Sequence, residues 1–180
     1  MSNHQPTELE LLYKEMKRIQ DRIKILKRDE LPCLALLENL DGIDTVVIEF
    51  DGGTSCNIPR LGLGKGYGSY KIDDLPIARV EFGMGHSCNS AELRTITAAL
   101  IDLHGLCEFT GGAKKTRVIV RGDSQIALKW VNPLHKKEPK PTSTKEFIEA
   151  IHQARHVASM FHSIKSEWRS REYSVQLFGH

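Results

Sequence analysis

The chain has 180 residues, 40% of them apolar, and its 25 basic and 23 acidic side chains give a net charge of +2. That length and apolar content suit one domain, or one domain with an extension, and argue against a collagen, a disulfide knot and a long disordered tail. No run approaches about 18 consecutive apolar residues and no charged-then-apolar leader opens the sequence, so a cytoplasmic protein with no membrane contact is expected. Cys33, Cys56, Cys88 and Cys107 form no CxxC pair, which argues against structural zinc. Balanced charge gives no global nucleic-acid signature, so any such activity rests on a local site.

Residues 8–30 place Leu9, Leu12, Met16, Ile19, Ile23 and Leu26 at steps of three and four between charged residues, which predicts a helix with a narrow apolar seam. Two readings of the seam stand side by side: a homodimeric coiled coil, or packing across the chain's own domain. A short apolar segment at 34–40 closes at Asp41-Gly42, and an N-terminal helical extension over 1–42 is expected before a second unit over 43–180. The pattern then turns to period two and β-branched residues. A buried strand is predicted at 45–50 (TVVIEF), ending at Asp51, then a Gly-rich loop over 52–64. Two further strands at 65–72 and 77–84 complete an antiparallel meander. A helix capped by Asn89 or Ser90 follows through Leu106, then a strand at 116–120 ending at Gly122-Asp123 and a helix over 124–131. A basic, Pro-rich loop at 132–142, a helix over 144–161 and a strand at 164–168 complete the order βββαβααβ.

Three acids stand at unusual places: Asp51 at the end of the first strand, Glu92 in the first turn of the long helix, and Asp123 just after the fourth strand. Carboxylates beside buried apolar strands are costly unless compensated, and a divalent cation is the usual compensation. If the first and fourth strands pair in parallel, both aspartates reach the same edge of the sheet, where a helix packed across it presents Glu92. Oxygen-only donors suit Mg²⁺ or Mn²⁺. For each acid singly, a cap or turn role is the simpler reading. The remaining histidines, including His86 and His104, show no ligand spacing and read as surface or helix residues.

DGGTSCNIP at 51–59, GYGSY at 66–70, CNSAEL at 88–93, GDSQIAL at 122–128 and Glu167-Trp168 resemble, in order and spacing, type 1 ribonuclease H. The resemblance covers 45 to about 175, with the three acids separated by 41 and 31 residues. It implies an α/β ribonuclease H-like fold with a mixed five-stranded sheet flanked by helices, to which the helix predicted over 8–30 is an extra N-terminal element. It also implies two bound Mg²⁺ or Mn²⁺ ions on Asp51, Glu92 and Asp123. The implied activity is endonucleolytic hydrolysis of the RNA strand of RNA/DNA hybrids, giving 5′-phosphate products. Hybrid contacts are implied at Gly52, Gly53, Cys56, Asn57, Asn89, Ser124 and Gln125. The basic loop, with Lys136, Lys137 and Lys140, occupies the place of a DNA-gripping protrusion, and a solvated loop is its alternative.

The chain departs from the family at the fourth acid. The family's final helix carries an Asp that here aligns with Phe178, and the next polar ligand candidate is His180. His180 is therefore a candidate fourth ligand, with a tail residue of no role as the alternative. Two rival functions follow: a hybrid-binding module without turnover, and a DNA nuclease of the same fold.

Overall fold

The computed structural model describes residues 45–55, 63–108, 112–135, 137–140 and 142–179. The predicted helix over 8–30, the segment 34–40, Cys56, Asn57, Lys136 and His180 lie outside the described residues.

A run of β-branched residues makes β1 (Thr45–Thr54), whose alternate side chains Val46, Ile48 and Phe50 are buried. It pairs antiparallel with β2 (Gly64–Ile72), which pairs antiparallel with β3 (Ala78–His86). This is the predicted meander. β4 (Arg117–Gly122) lies parallel to β1 on its other side, with β5 (Ser163–Trp168) parallel beyond it, so the sheet order is β3-β2-β1-β4-β5. The expected parallel pairing of the first and fourth strands is therefore present.

Helix α1 (Cys88–Glu108) sets Leu93, Ile96, Leu100 and Leu103, all fully buried, against one face of the sheet. A short α2 (Gln125–Val131) and the longer α3 (Lys145–Ala158) complete that layer, with Ile151 and Ala154 buried. α4 (Arg171–Phe178) lies by β1, where the Tyr173 hydroxyl donates to Glu49; Gly179, at φ 82°, ends this helix in the left-handed conformation that glycine adopts freely. No helix among the described residues is long and apolar enough to cross a membrane.

Several expected boundaries move. β1 runs past Asp51 to Thr54 because Gly52 and Gly53 pair with Gly68 and Tyr67 instead of opening a loop. α1 begins earlier than expected: the Ser90 N–H donates to the Ser87 hydroxyl at 3.2 Å, so Ser87 is the cap, not Asn89 or Ser90. That shift puts Glu92 in the second turn. α3 stops at Ala158, where the Ser159 N–H turns onto the Arg155 carbonyl. His86 is buried at the end of β3 and is not a surface residue.

Candidate active site

Asp51 and Asp123 arrive from neighbouring parallel strands. Asp51, on β1, is 1% exposed; Asp123 follows β4 directly, held from behind by the Trp168 indole N–H, which donates to its carbonyl at 3.1 Å. One nitrogen of Arg171, the first residue of α4, bridges the pair, with Nη1 at 3.2 Å from Asp51 Oδ1 and 3.0 Å from Asp123 Oδ2. The two carboxylates thus converge on a single point of positive charge, and they raise the Arg171 pKa in turn, Asp123 most strongly.

Two glycines let the helix that carries Glu92 come close to β1 and β2. Gly52 and Gly68 are cross-strand partners, and a Cβ on Gly52 would stand 2.9 Å from the Glu92 Cα while one on Gly68 would stand 1.8 Å from Thr95 Oγ1. The bare backbone forms a slot into which α1 settles. Burial pushes Glu92 up to about 7; the Ser124 hydroxyl bonded to its carboxylate and the Arg171 charge pull down, while the charges of Asp123 and Asp51 push further up. Ser124 also caps α2, accepting from the Ala127 N–H at 3.2 Å.

The other expected contacts scatter around this centre. Asn89 is half-buried in the first turn of α1, Gln125 is exposed at the start of α2, and Lys137 and Lys140 are exposed. Gly52 is half-buried and Gly53 is buried against the Tyr67 ring, so both are seen packing the strand. Arg155 ties the basic loop to α3, donating to the Lys137 carbonyl at 2.8 Å while its guanidinium lies over Trp130 at 5.1 Å. Sequence reading gave Arg171 no role in the site and overlooked the Gly68–Thr95 contact. The alternation Gly66-Tyr67-Gly68 inside a strand was the available signal, since glycine there marks close backbone approach.

The donor set is made only of carboxylate oxygens, which suits a hard divalent cation, and the shared Arg171 nitrogen marks where the two aspartates already bind positive charge. Among the described residues, no three His, Cys, Asp or Glu side chains close around one metal position in this arrangement.

Similarity to solved structures defines the fold class. The N-terminal RNase H domain of a Mycobacterium tuberculosis protein matches with a TM-score of 0.56 at 24% identity over 74% of this chain and 88% of that one. LC11-RNase H1, isolated from compost by a metagenomic approach, matches at 0.57 and 21% over 74% and 90%, and its complex with an RNA/DNA hybrid at 0.55 and 22% over 73% and 89%. RNase H1 of the halophilic archaeon Halobacterium salinarum matches at 0.53 and 20% over 72% and 88%. The chain therefore has the ribonuclease H fold. No family model and no curated protein sequence matches it.

Proposed function

We propose that this protein is a metal-dependent endonuclease that hydrolyses the RNA strand of RNA/DNA hybrids. The observation that carries the reading is the meeting of Asp51 and Asp123 on one cationic nitrogen, with Glu92 held beside them by the Gly52–Gly68 slot. The likeness in fold to an RNase H1 solved with an RNA/DNA hybrid supports the substrate class.

Asp51, Glu92 and Asp123 are the residues that would hold Mg²⁺ or Mn²⁺, two ions with substrate bound, and His180 is proposed as a further ligand. Such ions would supply an activated water near neutral pH and offset the charge of the phosphate. Arg171 must leave the aspartates for this, and its half-exposed side chain has solvent to move into. Water attacks phosphorus, the P–O3′ bond breaks, and the products carry 5′-phosphate and 3′-hydroxyl ends. Asn89 and Gln125 are proposed to contact sugars or base edges, and Lys137 and Lys140 to contact phosphates of the other strand. Ser124, whose hydroxyl already serves Glu92 and the α2 cap, contributes by holding Glu92.

A second reading, a hybrid-binding module without turnover, is favoured by the same Arg171 contact if the guanidinium stays in place. Cleavage of labelled hybrid, DNA duplex and RNA duplex across Mg²⁺ and Mn²⁺ separates the two. Asp51→Asn should lower hybrid cleavage by at least about 100-fold while hybrid affinity stays within about threefold. Turnover retained in that variant overturns the site; hybrid binding without cleavage in any metal establishes the second reading.

A further inference from the structure

One carboxylate serves the starts of two helices. Glu146 lies in the first turn of α3, where negative charge suits that helix's own N-terminus, and its Oε2 accepts from the Thr144 hydroxyl at 2.8 Å. Its other oxygen crosses to α1. Oε1 accepts from the Ser87 N–H at 3.1 Å and from the Ser90 hydroxyl. The His86 Nδ1 lies 3.5 Å from the same oxygen, with that ring's Nε2 set 2.9 Å from the Phe82 carbonyl. Ser90 is fully buried and the Glu146 side chain 20% exposed, so these bonds are sheltered from competing water.

Ser87 caps α1 and Ser90 sits in its first turn, so the clamp grips the turn that carries Asn89 and delivers Glu92 two residues later. The residues just after it, Glu92 and Thr95, pack on the Gly52–Gly68 slot. Glu146 holds the turn that precedes them. Resting on the nuclease reading above, we infer that Glu146 is a positioning residue for the active site: it sets the stance of Glu92 and Asn89 relative to Asp51 without touching substrate. Hydrogen-bond acceptance, not charge, does this, because both bonds to α1 end on one oxygen that an amide also offers.

The full chain and its Glu146→Ala, Glu146→Gln and Ser90→Ala variants test this, with kcat and KM on labelled hybrid taken per folded molecule, the folded fraction being read from thermal melts in the same buffer. Misplacing the carboxylate by a fraction of an ångström should lower kcat of Glu146→Ala about 10- to 100-fold with KM within about threefold. Glu146→Gln should return to within about threefold of the wild type, and Ser90→Ala should cause a smaller loss that adds little on top of Glu146→Ala. Amide exchange gives a readout independent of cleavage: the Ser87 and Ser90 N–H groups should exchange at least about tenfold faster in Glu146→Ala, with β4 amides unchanged. A wild-type kcat in Glu146→Ala, a Gln variant as slow as the Ala variant, or a uniform rise in exchange overturns the inference. If the wild type itself fails to cleave hybrid, the nuclease reading falls, and the exchange result alone decides whether the clamp exists.

Discussion

Glu92 and Glu167 bend the stability of the metal-free protein in opposite directions, in different pH windows. Glu92 titrates at about 7 in the fold against an ordinary value of 4.5, so between those values the folded state holds more protons than the unfolded one. Its contribution is therefore most favourable below 4.5 and is lost as pH rises to about 7. Glu167 is held down to about 2 by hydrogen bonds from Lys165 and Arg121, so its contribution is full above 4.5 and is lost as pH falls toward 2. Urea unfolding in chelator should show stability declining across pH 4.5 to 7 in the wild type; in Glu92→Gln that decline should be absent, with higher stability than the wild type at pH 8. An unchanged slope would mean that Glu92 is ionised at little cost. Asp51 and Asp123 were legible because acids that follow apolar β-branched runs are conspicuous. Arg171 was not, since a basic residue opening a short helix carries no periodic mark of the acids it will meet across the sheet.

At the level of elements, the approach of α1 to the β1–β2 pair is the contact on which the site depends. A Cβ on Gly68 meets Thr95 Oγ1 at 1.8 Å, and that hydroxyl is fully buried and bonded to the Ala91 carbonyl at 2.8 Å, so it has nowhere to turn. Gly68→Ala should destabilise the fold by about 1–3 kcal/mol through overpacking, read as a lower urea midpoint with an unchanged slope. The double variant Gly68→Ala/Thr95→Ala should recover part of that loss, because removing Oγ1 and Cγ2 relieves the nearest contacts and leaves the Thr95 Cβ at 2.8 Å. No recovery would show that the strain falls elsewhere. The meander and the long helix were readable from period two and period 3.6, which depend only on one segment at a time. The slot was not, because what a glycine makes room for belongs to another segment, and for the same reason residues 52–54, predicted as the start of a loop, are strand.

Across the whole molecule, every side chain proposed for catalysis lies after position 50. Removing residues 1–42 should therefore leave hybrid cleavage within about threefold of the full chain. Sedimentation of both forms at micromolar concentration settles the apolar seam over 8–30: a fall in mass from dimer to monomer on deletion assigns it to a homodimer, and the loss of only the deleted mass assigns it to packing within one chain. The order of the five strands brings a further consequence, which concerns synthesis. Asp51 and Asp123 are 72 residues apart, and the guanidinium between them comes from position 171. A chain leaving the ribosome from its N-terminus at about 5–20 residues per second presents the meander seconds before β4 can slide in beside β1. Throughout that interval Asp51 is a solitary carboxylate at the rim of an unfinished sheet. On the proposed reading, the nascent protein cannot yet cleave a hybrid, because the carboxylates it would use come together only once the later half of the chain has been made.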